Sequence, residues 1–177
     1  VSWVLVGWLP TYYKENFNLS QSVAGLYATG YLYPASICGL LLGGFLADKL
    51  SRRNPRGRIW VTFVGLCIAA PAVFFTAHID ILPVVIISFI LYAVTKSFCD
   101  ANTMPILCMV VDRSYRATAY GVLNFFGCLV GGIGLYMSGF LRDMNIHLGL
   151  IYQVIAIFLL VGGVLLLFVK LKFKEDE

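Results

Sequence analysis

The chain has 177 residues, of which 60% are hydrophobic and only 12% charged, with a net charge of +4. A soluble domain carries about 25% charged residues, and a mean hydropathy of +0.86 leaves too few polar side chains to coat a water-facing surface. Disorder, a collagen-like repeat, a disulfide scaffold and a nucleic-acid-binding domain are excluded on the same grounds, so the chain is a membrane protein or a piece of one.

A helix needs about 20 apolar residues to cross the hydrocarbon core. The opening run, 1–13, is too short for that. It starts at Val1 without a basic lead-in, which argues against a signal peptide. It reads as the back half of a spanning helix, and the chain as a fragment of a larger transporter or channel-like protein. Trp8 and Tyr12 share a face there, and Tyr12 and Tyr13 have the position of interfacial anchors.

The second run, 21–47, follows a polar turn in which Ser20 or Ser22 can cap the helix. Tyr27 and Tyr31 share one face, and Pro34 follows one turn on. Ala35, Gly39 and Gly43 form a ladder of small residues that lets helix backbones approach closely. Either static packing or a sliding surface fits that pattern. The run ends in Gly44-Phe45-Leu46-Ala47-Asp48-Lys49, and 51–57 reads as a solvated loop. The third run is 59–77.

The fourth run, 81–111, carries the strongest local signal. Lys96 is centred in it, and Asp100 lies one turn on, on the same face. A charge at the bilayer centre costs roughly 3 kcal/mol on insertion scales and defaults to a functional hypothesis. An internal salt bridge that neutralises itself is the bland alternative. Tyr92 and Thr103 extend this face, with Thr95, Cys99 and Asn102 beside it. At 1.5 Å per residue the run makes about 46 Å of helix, against about 30 Å of hydrocarbon. Kinks at Pro83 and Pro105 are expected.

The fifth run, 117–141, has small residues at Gly127, Gly131 and Gly134, and places Tyr120 and Asn124 on one face. The sixth is 148–169. Spans of a β-barrel would be about 10 residues long and alternate in polarity. These runs are continuous and longer, and a backbone in lipid must satisfy its own hydrogen bonds, so the spans are helices.

Basic residues orient the bundle. Segment 48–58 holds five of them, 112–116 two and the tail three, and alternation puts all ten on one side. The other side has only Lys14 and Arg142. The positive-inside rule makes the basic side cytoplasmic. The expected location is a multi-pass protein of the plasma (cell inner) membrane. The five cysteines lie in apolar runs without metal or redox spacing and read as small hydrophobes. His78 and His147 are isolated in short loops, so no metal site and no cofactor is expected. No nucleophile elbow, phosphate loop or zinc spacing suggests an enzyme.

Gly44-Phe45-Leu46-Ala47-Asp48 is echoed by Gly139-Phe140-Leu141-Arg142-Asp143. The two end the middle members of successive helix triplets, one inside and one outside, as inverted repeats of three helices would. The expected units are 1–77 and 78–177.

The motif from Gly44 to Lys49, with the basic run to Arg58, resembles the cytoplasmic signature of the major facilitator superfamily. That signature lies between the second and third helices of each six-helix half, as here. Trp8-Leu9-Pro10-Thr11-Tyr12-Tyr13-Lys14-Glu15 resembles the organic-anion and organophosphate branch. The stretch 113–121 resembles both that branch and spinster-like carriers, and the loop 52–58 also resembles the latter. The resemblance implies an all-α fold, the C-terminal half of a transporter with a 3+3 inverted repeat, and partners in a missing N-terminal half and the bilayer. It implies a cytoplasmic gate at Gly44 and Asp48. Arg52, Arg53, Arg56 and Arg58 receive no separate roles, and Arg113 and Arg116 are plausible local participants.

The expected function is secondary transport of a small organic anion, of the sugar acid or sugar phosphate class, by alternating access. Lys96, Tyr31, Tyr27, Asn124 and Tyr92 are the candidate substrate contacts. Asp100 is the candidate coupling residue, taking a proton if the carrier is a proton symporter. A carrier of lipid-like or neutral-sugar substrates, and a scaffold or sensor that does not transport, are the alternatives.

Overall fold

The computed structural model describes residues 2–169. Among them there is no strand. The helices are α1 (Ser2–Phe17), α2 (Gln21–Gly30), α3 (Leu32–Ser51), α4 (Gly57–Thr76), α5 (Leu82–Val110), α6 (Arg116–Asp143) and α7 (Leu148–Leu167), with a short 3-10 turn, Arg113–Tyr115, before α6. Five spans are long and apolar enough to cross a membrane: Gln21–Ser51, Gly57–Thr76, Leu82–Val110, Arg113–Asp143 and Leu148–Leu167. These are the five long runs of the sequence. The three lysines of the tail lie outside the described residues.

The second run is divided at Tyr31 into α2 and α3. Pro34 has no N–H to give the Gly30 carbonyl, and its ring crowds that carbonyl. The ladder resumes with the Ala35 N–H donating to Tyr31 O at 3.2 Å. Ser20 holds the N-cap position in extended backbone, but its hydroxyl makes no cap bond and lies 3.4 Å from that of Ser22.

The expected kink at Pro83 does not occur, because Pro83 sits in the first turn of α5. There its missing N–H is an orphan in any case. Pro105 lies inside a helix that continues to Val110. The first helix runs one turn past its apolar stretch, to Phe17, and Asn18 at φ 51° ends it. Asn tolerates that left-handed conformation better than most residues.

Packing is asymmetric along the bundle. The main core gathers α1, α2, the start of α3, the second half of α4 and the first halves of α5 and α7, and so lies toward the end away from the basic loops. Tyr12, Tyr13, Phe89 and Tyr152 make tilted and edge-on ring contacts there, with centroids 5.2–6.1 Å apart. Tyr12 and Tyr13 are therefore not interfacial anchors: each is 1% exposed. The Tyr12 hydroxyl donates to Thr76 O at 2.8 Å, which ties α1 to the end of α4. At the basic end the only apolar cluster among the described residues is small, built on Ile59 and Ile106.

Helix α5 packs against α3 and α4 more closely than any other pair of neighbours. The small ladder explains this. Ala35, Gly39, Gly43 and Ala47 are all buried on α3. A Cβ on Gly43 would lie 2.8 Å from Phe98 Cα, and one on Gly39 2.8 Å from Val94 Cα. Gly65 of α4 receives α5 from the other side, with Phe98 Cβ 3.0 Å from where its own Cβ would be. The Phe98 ring thus fills the space that two glycines open. On α6 the ladder is looser. Gly131 rests on the Trp3 ring and Gly134 on Val4, while nothing lies within 4 Å of a Cβ at Gly127.

Candidate substrate site and cytoplasmic gate

Lys96 is the central residue of the 29-residue α5. Its Nζ donates to both carboxylate oxygens of Asp100, at 2.8 and 2.6 Å. The i,i+4 spacing of one helix turn brings them together without help from another element. Asp100 has 48% of its side chain exposed and Lys96 23%, so the pair lies on an open face of the bundle and not in its core.

The hydroxyls beside the pair satisfy themselves. Thr95, Ser97 and Thr103 donate to Leu91 O, Ala93 O and Cys99 O of their own helix, at 2.7–2.8 Å. Such back-bonding is how Ser and Thr meet an apolar surrounding. Tyr92 is buried against α1, its hydroxyl 3.2 Å from Ser2 Oγ. Tyr27 and Tyr31 stack in a tilted pair at 5.5 Å, and Tyr31 is 41% exposed. Asn124 is exposed on α6. Among the described residues, no hydrogen bond or ring contact joins Asn124, Tyr27 or Tyr31 to Lys96. The candidate contacts thus form two local pairs, Lys96–Asp100 and Tyr27–Tyr31, with Tyr92 behind and Asn124 apart.

At the basic end, Asp48 closes the buried ladder of α3 and is itself exposed. Arg58 in the first turn of α4 pairs with it through Nη2. The other amino group, Nη1, donates to Asn102 Oδ1 at 3.3 Å. Asn102 is fully buried on α5. Its Nδ2 donates to Phe98 O at 2.8 Å and reaches Gly43 O of α3 at 3.4 Å. A guanidinium suits this task, since its planar fork presents donors in two directions at once. Of the loop's four arginines only Arg58 enters an ion pair among the described residues. Arg116 takes another role: it donates to Cys108 O at 3.0 Å and to Val111 O at 3.5 Å, closing the end of α5.

A second polar tie holds α1 to α6. Trp8 Nε1–H donates to Ser138 Oγ at 2.7 Å, and Glu15 pairs with Arg142 through Nη2. Arg142 Nη1 also donates to Ile146 O at 3.2 Å. Glu15 belongs to the extra turn of α1, which the apolar pattern does not show. Arg142 was visible as one of two cations opposite the basic side and within the echo motif, but not as a partner of α1.

The family model of the Major Facilitator Superfamily matches residues 1–177. The chain belongs to that superfamily. It is thus part of a multi-pass membrane protein, and the Asp48–Arg58 pair lies on the stretch that resembles the superfamily's signature. An MFS-type efflux pump of Mycolicibacterium smegmatis is 31% identical over 118 residues, covering 66% of this chain and 26% of the pump. A probable sulfoacetate transporter of Cupriavidus necator is 26% identical over 172 residues, covering 94% of this chain and 39% of that protein. The chain therefore spans well under half the length of these superfamily relatives.

Proposed function

We propose that the chain is the C-terminal half of a secondary transporter that moves a small organic anion by alternating access. The observation that carries this reading is the Lys96–Asp100 pair, at the centre of α5 and on an open face. A charge pair serving only the fold would be better hidden, and an apolar residue would cost less there. Lys96 attracts the anion, and Asp100 holds its charge in balance until substrate or a proton takes over. The relative named as a probable sulfoacetate transporter supports a small anion as cargo, within the sugar acid or sugar phosphate class or beside it. The resemblance of Trp8–Glu15 to the organic-anion and organophosphate branch accords with this.

The partner surface belongs to an N-terminal half. Gly44 meets nothing within 4 Å where a Cβ would be, so its small size serves something outside this bundle. Almost all of α6 is exposed, only Gly131 and Ser138 being buried, and Asn124 lies on it. Asp48 and Arg58 form the cytoplasmic latch, the basic loops face the cytoplasm of the plasma membrane, and α1–α4 and α5–α7 make up two inverted repeats. Uptake by the full-length protein in proteoliposomes, against a panel of organic anions and with or without a pH gradient, tests the reading. Transport of neutral or lipid-like compounds alone would overturn it. An efflux carrier is the second reading, favoured by the pump among the relatives.

A further inference from the structure

An open groove of about 400 Å³ lies at the basic end between α3 and α4. Phe98 of α5 lines it together with Leu46 of α3 and Val64 of α4. Lys49, Arg53 and Trp60 also line it. The groove is lined mostly by carbon, yet it carries two cations at its mouth. Lys49 and Arg53 are four residues apart, at the end of α3 and just beyond it. Trp60 opposes them from the first turns of α4, 45% exposed, the position at which indole rings meet the membrane–water interface.

The two cations share with Arg52 and Arg56 the lack of a carboxylate contact among the described residues, but they alone of these line the groove. Arg58, Lys96 and Arg142 each have a carboxylate partner. Among the described residues neither Lys49 nor Arg53 is paired with one. Unpaired cations above an apolar channel match one chemistry: an anion attached to a hydrocarbon chain. The volume falls within the ~300–1,000 Å³ of small-molecule sites.

We infer that this groove binds an anionic diacyl phospholipid, with its phosphate at Lys49 and Arg53 and one acyl chain laid over Phe98 between Leu46 and Val64. Basic pockets between helices at the membrane surface are suited to such headgroups. The site is built on the ends of α3 and α4, the two helices that Arg58 joins, so an occupied groove braces the latch from its outer side. The inference rests on the orientation proposed above only in naming the leaflet, which would be the cytoplasmic one.

Native mass spectrometry of the full-length protein with phosphatidylglycerol or phosphatidylcholine of equal chain length tests this. Both lipids are presented in detergent, so the result does not depend on which way the protein faces, and an error in orientation cannot imitate failure of the site. Phosphatidylglycerol is expected to be retained preferentially. Each cation near the surface contributes about fivefold, so Lys49→Gln and Arg53→Gln should each reduce the preference and the double variant should bring it near unity. Exchanging the two, Lys49→Arg with Arg53→Lys, should keep it. Val64→Trp, which fills the groove and leaves both cations, should reduce retention of phosphatidylglycerol.

Equal retention of the two lipids by the unaltered protein would overturn the inference, as would a preference unchanged in the double variant. If Val64→Trp changes nothing while the cation variants do, the binding is surface charge and not a groove. Displacement by soluble glycerol phosphate at the concentration of the lipid would likewise reduce the site to an anion site. No retention of either lipid would assign the groove to another part of the longer protein.

Discussion

Arg58 donates to the buried Asn102 of α5 with one amino group while the other holds Asp48 of α3. One side chain on α4 thereby joins three helices at the end of the bundle where apolar packing is thinnest. Asn102 is two residues from Asp100, so α5 carries both the charge pair at its centre and the inner anchor of the proposed latch. Any shift of α5 that follows a change at Lys96–Asp100 must also move Asn102 relative to Arg58. Such an element responds to a ligand only through a difference in interaction between two states.

A first prediction follows from the two-sided geometry of Arg58. Arg58→Lys should slow transport severalfold while changing substrate affinity little, because an ammonium lacks the planar fork that spans Asp48 and Asn102. Asp48→Asn should act in the same direction, since a latch biases populations and need not touch the ligand. Asn102→Ala should in addition lower the melting temperature, because losing a buried partner costs about 1–3 kcal/mol. Transport rates, equilibrium binding and thermal unfolding of the full-length protein separate these effects. Unchanged transport at normal expression in all three would remove the latch.

Two adjacent glycines should behave differently. A Cβ at Gly43 would lie 2.8 Å from Phe98 Cα, whereas at Gly44 it meets nothing within 4 Å. Gly43→Ala should therefore destabilise the bundle, by about 1–3 kcal/mol as overpacking does. Gly44→Ala should leave the melting temperature the same or raise it slightly, since Ala is the better helix former. If Gly44 faces a second half, its variant should still impair transport. Thermal unfolding beside uptake decides both points, and equal destabilisation by the two would contradict the geometry.

The span pattern was legible because lipid makes it so. Runs of about 20 apolar residues admit only helices, and all five long runs became spans. Lys96 and Asp100 were legible because their encounter is local, one helix turn apart. Asp48 was legible as part of a motif, but its partner was not: nothing in the spacing singles out Arg58 among four arginines of one loop. Asn102 showed as a polar residue in an apolar run, without any sign that it alone reaches another helix while Thr95, Ser97 and Thr103 bond back to their own. Tyr12 and Tyr13 looked interfacial because they stand at the edge of an apolar run. The structure continues α1 past them and buries both, a consequence of tertiary packing that periodicity does not carry.

The tie between α1 and α6 gives a prediction about mobility. Glu15 and Arg142 are partly exposed, so their pair contributes little to global stability. It holds the last turn of α1 all the same. Glu15→Gln and Arg142→Gln should each speed hydrogen exchange in residues 13–17 while the melting temperature stays nearly constant. Exchanging the charges, Glu15→Arg with Arg142→Glu, should restore protection. Unchanged exchange in the single variants would show that Trp8–Ser138 and the aromatic core hold this end alone.

Orientation can be checked directly. Ten of the twelve basic residues outside the spans fall on one side by alternation, which predicts that Ser51 faces the cytoplasm and His147 the exterior. In intact cells carrying the full-length protein, an impermeant thiol reagent should reach His147→Cys and spare Ser51→Cys. Both tests need a background in which the exposed Cys38 and Cys128 are replaced by Ser or Ala. Labelling of Ser51→Cys from outside would reverse the orientation and, with it, the leaflet assigned to the phospholipid.

The decisive prediction concerns the centre of α5. Lys96 Nζ contacts both oxygens of Asp100, so removing either partner leaves the other charge unpaired at mid-membrane, where charge is expensive. If the pair serves only the fold, Lys96→Gln should lower expression, and adding Asp100→Asn should restore both expression and transport. If Lys96 receives the anion, Lys96→Gln abolishes anion affinity, and the double variant regains expression at most. Lys96→Arg should rescue only in part, because a planar guanidinium differs in shape and hydration from a compact ammonium. Asp100→Asn alone should then leave anion binding measurable, and should uncouple uptake from the pH gradient if Asp100 carries the proton. Full transport by the Lys96→Gln, Asp100→Asn protein would refute the substrate site, because nothing else on that face of α5 could supply the positive charge.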